Sequence, residues 1–126
     1  MATIGAVLES VDAGRVAIRL PFREELTQQH GFLHAGVIAS VADSACGYAA
    51  LSLMPADAGV LSIEFKVNVL APAKGDAIVA RAEVIRAGRN IMVCRADVYA
   101  VIGAEEKLCA AMQGTMMVVS GRGLSD

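Results

Sequence analysis

Residues 60–70 (VLSIEFKVNVL) alternate apolar and polar side chains, with Glu64, Lys66 and Asn68 on one side and Ile63, Phe65, Val67 and Val69 on the other. Alternation of this kind predicts a strand with one buried face. The same reading gives strands over 77–87, 91–102 and 107–119, with turns at 71–76, 87–90 and around Gly103. Earlier in the chain, residues 3–10 and 15–20 are rich in Val, Ile and Thr, and Asp12-Ala13-Gly14 separates them, which predicts a β-hairpin. Pro21 ends it, and residues 22–33 read as a loop with a short helical turn at Glu24 and Glu25. One segment has a different rhythm. From about His34 to Met54 there is no proline, alanine is frequent, and apolar residues recur at helical spacing. That predicts a single helix roughly 30 Å long, stopped by Pro55 and Gly59. The order β-β-α-β-β-β-β, an antiparallel sheet with one helix, is an α+β fold.

The helix carries two stripes. Ile38, Val41, Ala42, Ala45, Ala49 and Leu53 suit a helix lying on a sheet. Gly36, Ser40, Asp43, Gly47 and Ala50 follow at four- and three-residue steps, small residues plus one carboxylate. From His30 to Met54 there is no Lys, Arg or Glu, so Asp43 is the one charged side chain. A carboxylate among apolar neighbours is costly to desolvate, and Asp is a poor helix former. Asp43 is therefore expected either to reach solvent or to be kept for chemistry, and the small residues beside it would let a ligand or a second backbone approach.

Composition narrows the setting. A chain of 126 residues is expected to be a single domain over 1–126, with the tail SGRGLSD disordered from about residue 120. Yet 56% of the residues are hydrophobic and the mean hydropathy is +0.55. That is more than a lone small domain hides, which predicts a buried subunit interface. The net charge of −2 with no basic patch argues against nucleic acid. The apolar runs are broken before they reach bilayer-spanning length, so no membrane is expected. MATIGAVLESVDAGR lacks the basic start of a signal peptide. Cys46, Cys94 and Cys109 are odd in number with no metal-type spacing, and read as reduced, buried thiols of a cytoplasmic protein.

Gln28 and Gly31 precede His34-Ala35-Gly36, and Asp43 lies nine residues after His34. Pro72 follows the third strand, and Gly88-Arg89-Asn90 connects the next two. These spacings, over nearly the whole chain, resemble the phenylacetyl-CoA thioesterase-like (PaaI-type) branch of the hotdog fold. There an amide residue and a glycine lead to His-Gly-Gly at the helix start, and an Asp or Glu follows nine residues after the His. Ala35 replaces the first of those two glycines, and Gln28 stands where Asn is frequent. The resemblance implies an antiparallel sheet wrapped around one long helix. It also implies hydrolysis of an aryl- or short- to medium-chain acyl-CoA, with coenzyme A as part of the substrate and no other cofactor. The partner it implies is a second copy of the chain, in a homodimer that pairs into a dimer of dimers. In such a dimer the amide and oxyanion donor come from one chain and the carboxylate from the other.

Thioester hydrolysis needs a donor for the developing oxyanion and a delivered nucleophile. A helix start offers unpaired N–H groups. The N–H of Ala35 is the candidate oxyanion donor, assisted by Gly36 and Gln28; the plain alternative is an ordinary helix N-terminus. Asp43 can be a general base for water or a nucleophile that forms a mixed anhydride, and the sequence leaves both open. Nine residues put His34 and Asp43 about 180° apart around the helix and roughly 13 Å along it. One helix cannot easily aim both at one carbonyl; two helices from two subunits can. Ser62 either orients the water or is an ordinary strand serine. His34 either bonds the thioester sulfur or packs the helix start. Gly31, Gly47, Lys74, Arg86, Gly88, Arg89 and Asn90 are candidate contacts to substrate and coenzyme A, weighed against turn formation and solubility. His30 and His34 have a metal-like spacing, but Gly31 between them argues against a helix there, so no metal is expected. Two rivals remain. A hotdog hydratase or dehydratase would pair a His in a Pro-rich segment with a helical Glu, neither of which is found. A non-catalytic acyl-CoA-binding module would have no need of Asp43.

Overall fold

The computed structural model describes residues 1–120 and Gly123. The rest of the tail expected to be disordered lies outside the described residues. A short 3-10 helix (Ala2–Ile4) leads to β1 (Val7–Asp12) and β2 (Arg15–Pro21), and a second one (Glu24–Leu26) precedes the helix α1 (Ala35–Leu51). Four strands follow: β3 (Gly59–Val69), β4 (Ala77–Ala87), β5 (Ile91–Ile102) and β6 (Glu105–Val119). They form one six-stranded sheet in the order β1-β2-β4-β5-β6-β3, and each neighbouring pair is antiparallel. After α1 the chain thus crosses to the edge opposite β1, which lays the helix across one face of the sheet. This is the hotdog arrangement.

The apolar stripe of α1 fills the layer between helix and sheet. Ile38, Val41, Ala42, Ala45 and Ala49 are buried with Ile18, Leu20, Ile78, Cys94, Val98 and Met116. The alanines bring the helix backbone close to the sheet. Leu53 departs from the expected stripe, because α1 ends at Leu51 and not at Met54. The hydroxyl of Ser52 donates to the Ala49 carbonyl at 2.7 Å and accepts the Gly14 N–H at 2.8 Å, tying the helix end to the β1–β2 turn. Leu53 then folds over Gly14 and stays 41% exposed. The first strand also begins later than expected. Residues 2–4 turn, Gly5 adopts φ 82°, and pairing to β2 starts only at Val7 opposite Arg19.

Strand β3 is an edge strand with an irregularity that the alternation pattern hides. Its register to β6 shifts between Ser62 and Glu64, leaving Ile63 as the extra residue. Ser62 lies opposite Met116 and Glu64 opposite Thr115, so these two even-numbered residues fall on different faces of the sheet. The bulge turns Ser62 toward the helix. Beyond it, Phe65 lies beside Gly114, Met112 and Met116 on the helix side, yet Phe65 is 46% and Val69 49% exposed. The helix of the same chain leaves this part of the sheet uncovered.

Candidate active site

The helix start is held by its preceding loop. Thr27 and Leu33 form an isolated antiparallel bridge, and the Gln28 N–H donates to the Phe32 carbonyl at 2.8 Å. The Gly31 N–H closes a turn onto the Gln28 carbonyl at 3.0 Å, with φ 81°, a left-handed conformation that favours glycine. The Gln28 side-chain carbonyl accepts from the N–H groups of His30 and Phe32. Its amide NH2 has no partner among the described residues and remains available. His34 is the N-cap: its Nδ1 accepts the Gly36 N–H at 2.9 Å. That bond requires an unprotonated Nδ1 and leaves the ring proton on Nε2. It also occupies the Gly36 N–H, which sequence reasoning had offered as a second oxyanion donor. A Cβ at Gly36 would sit 3.1 Å from His34 Nδ1, so the glycine makes room for the cap. The Ala35 N–H has no acceptor among the described residues. Ala35 is one wall of a cleft of about 530 Å³, with Gln28, Phe32, His34, Ile38, Leu70 and Pro72 among the others. Lys74 stands beside this cleft, its Nζ 5.9 Å from the centre of the Phe32 ring.

The carboxylate belongs to a second place on the chain. Asp43 is half-buried on α1, and the Ser62 hydroxyl donates to its Oδ1 at 2.7 Å. Ser62 Oγ also lies 3.3 Å from the Met116 sulfur. Asp43 and Ser62 open on a pocket of about 190 Å³ whose other walls are Ser44, Gly47, Tyr48 and Val60. The structure therefore brings Asp43 to Ser62 and Gln28 to His34 and Ala35, but it does not bring the two groups together. Ala35 and Asp43 are eight residues apart, roughly 12 Å along the helix.

The basic candidates divide between the same two ends. Lys74 is at the helix start. Arg86 and Arg89 are exposed at the β4–β5 turn, beside the sheet end that carries Leu61, Ser62, Met116 and Met117. Neither arginine has an ion-pair partner among the described residues, unlike Arg81, which is bidentate to Glu106 at 2.6 and 2.7 Å. Gly88 and Asn90 build that turn. A Cβ at Gly88 would meet the Ile91 carbonyl oxygen at 2.4 Å, and the Asn90 carbonyl accepts the Val118 N–H. His30 is exposed in the loop. Among the described residues no three His, Cys, Asp or Glu side chains gather as a metal site.

The thiols have a different character. Cys46, Cys94 and Cys109 are free and buried. Burial raises the Cys46 pKa far above its usual value, with Cys94 and the Asp43 carboxylate adding to the effect. Burial pushes Cys94 up to about 11 and raises Cys109 as well. A thiol in this state is protonated at neutral pH and is not a nucleophile. Iodoacetamide at pH 7 is expected to leave all three unmodified and activity unchanged until the protein is unfolded. Intact-mass measurement checks this, and rapid alkylation of the folded protein would contradict it.

Sequence reasoning did not single out Tyr48, the one aromatic residue of α1, although an aromatic ring in a helix of small residues was visible. It could not place Ser62 on the helix side, because alternation gives no sign of the bulge.

The sequence profile of the thioesterase superfamily matches residues 30–107, a span that holds His34, Ala35, Asp43, Ser62 and both basic ends of the site. The chain belongs to the thioesterase superfamily. Among curated relatives, a putative esterase of Saccharolobus solfataricus is 35% identical over 91% of this chain and 74% of its own length. A 1,4-dihydroxy-2-naphthoyl-CoA hydrolase of Listeria monocytogenes is 32% identical over 72% of this chain and 74% of its own length. A putative esterase of Halobacterium salinarum is 34% identical over 75% of this chain but only 66% of its own length. A crystal structure of a thioesterase family protein from Silicibacter pomeroyi superposes with a TM-score of 0.94 at 50% identity, covering 96% of this chain and 89% of that one. Thioester hydrolysis is the class of reaction that goes with this membership. No helix among the described residues is long and apolar enough to cross a membrane.

Proposed function

We propose that the protein hydrolyses an aryl- or short- to medium-chain acyl-CoA at sites shared between two copies of the chain. The observation that carries this reading is the division of the chemistry: an unpartnered Ala35 N–H at one end of α1 and an Asp43–Ser62 pair farther along it. An antiparallel second copy would set one chain's helix start against the other's carboxylate. The uncovered Phe65 and Val69 on the edge strand β3 supply apolar surface for such a pairing.

In each site the thioester oxygen accepts the Ala35 N–H and the Gln28 amide, donors already fixed by the loop and the helix start. Asp43 of the partner subunit takes a proton from water. Its neighbouring Ser62 donates a hydrogen bond to the carboxylate and accepts one from the same water, which fixes the direction of attack. The water oxygen bonds to the carbonyl carbon, and the negative charge moves onto the carbonyl oxygen. When that charge returns, the carbon–sulfur bond breaks. The leaving sulfur takes the proton that Asp43 removed from water, with the Nε2–H of His34 donating a hydrogen bond to it, giving a free acid and coenzyme A. No further cofactor enters. Lys74, Arg86 and Arg89 are the cations for the coenzyme A phosphates. The naphthoyl-CoA hydrolase among the relatives supports an aryl acyl group. Exposed Leu61, Met117 and Ile91 are cross-strand neighbours on the outer face of β3, β6 and β5, and are the apolar surface on which two dimers would pair. The three free cysteines support a cytoplasmic setting.

The test is release of free thiol from a panel of aryl and alkyl acyl-CoA esters, with light scattering for the assembly. Turnover by a dimer or tetramer supports the reading. Binding without thiol release, or an active monomer, contradicts it. Within the same assay, Ser62→Ala is expected to lower kcat about ten- to a hundredfold, the value of one hydrogen bond to a charged group. Unchanged turnover would remove Ser62 from the site.

A further inference from the structure

What the pocket beside Asp43 implies about the acyl group rests on the thioesterase reading above. The carbonyl carbon has to lie within reach of water held by Asp43 and Ser62. Two arms leave that carbon. The coenzyme A arm is long, ends in phosphates and needs a route to solvent and cations. The larger cleft of about 530 Å³, with Lys74 beside its Phe32 wall, gives it that route. The pocket of about 190 Å³, which holds Asp43 and Ser62 and no cation, suits the acyl arm.

Asp43, Ser62, Gly47 and Tyr48 all face this one small pocket. Gly47 sets its width. Gly47 is one turn beyond Asp43, roughly 40° around the helix, and is buried. A Cβ there would meet the Val60 Cγ1 at 3.8 Å, an ordinary contact. The fold thus does not demand glycine, and the missing side chain leaves space beside the carboxylate. Tyr48 is a further wall. It is 43% exposed in a helix otherwise made of small and buried apolar residues. Its hydroxyl has no hydrogen-bond partner among the described residues. Core packing does not explain this ring, but it does wall the pocket that holds Asp43.

We propose that Tyr48 is a specificity-determining residue: its ring closes the acyl end of the pocket beside Asp43 and confines the substrate to short or flat acyl groups. The experiment compares kcat/KM for benzoyl-CoA and dodecanoyl-CoA in the wild type, Tyr48→Ala and Tyr48→Trp, with thermal melts of all three. Removing the ring is expected to raise the dodecanoyl-to-benzoyl ratio by about tenfold or more, in the range that apolar pocket contacts discriminate. Enlarging it is expected to lower the ratio, and this variant reads the proposal if Tyr48→Ala does not fold. A wild type that hydrolyses benzoyl-CoA with a ratio unmoved in the folded variants overturns the role of Tyr48 and leaves the thioesterase reading standing. A wild type that frees thiol from neither ester, nor from the wider acyl-CoA panel, overturns both.

Discussion

Asp43→Asn is expected to lower kcat for the best acyl-CoA by about two orders of magnitude or more, the usual loss when a general base is removed. The replacement has nearly the same shape and can keep the Ser62 hydrogen bond to Oδ1. What it loses is the ability to take a proton from water. The fold should hold, because Asp43 is half-buried with no ion-pair partner among the described residues, and removing a partly desolvated charge need not destabilise. The kinetic effect should therefore appear with little change in melting temperature. Thiol release and a thermal melt on the same preparation check both parts. Near-wild-type turnover would remove Asp43 from the chemistry. Lost turnover with a collapsed melt would show that its role is structural.

Much of this is legible in the sequence alone, and what is not has identifiable causes. The helix start and the strands over 77–87 and 91–102 fall where the residue pattern puts them. The lone charge of Asp43 on a small-residue stripe marked the carboxylate, and the nine-residue spacing from His34 set it apart from the helix start. The misplacements come from interactions distant in sequence. Whether the helix stops at Leu51 or Met54 depends on Ser52 meeting Gly14 across 38 positions of chain. Where the first strand begins depends on how far β2 extends beside it. Ser62 reaches Asp43 only because β3 bulges against β6, a property of pairing and not of the strand's own pattern. The occupation of the Gly36 N–H by His34 Nδ1 is a rotamer outcome, and no spacing rule announces it.

The shared site is tested most directly by mixing two dead proteins. The first is Asp43→Asn. The second is Ala35→Pro, which removes the candidate oxyanion N–H. Ala35 is the first residue of α1, where proline is tolerated. His34 already has φ −63° and ψ 137°, a conformation compatible with a following proline. Each homodimer should be inactive. In a mixed dimer, one site carries both defects and the other carries neither. Random subunit exchange makes about half the dimers mixed, each with one intact site of two, so activity should return to about a quarter of wild type. Both variants are first shown to fold, and exchange is followed by native mass spectrometry of differently tagged chains. Recovery toward that level is the expected result. Confirmed mixed dimers with no recovered thiol release would contradict it, and would assign Asp43 and the Ala35 N–H to the same chain's site.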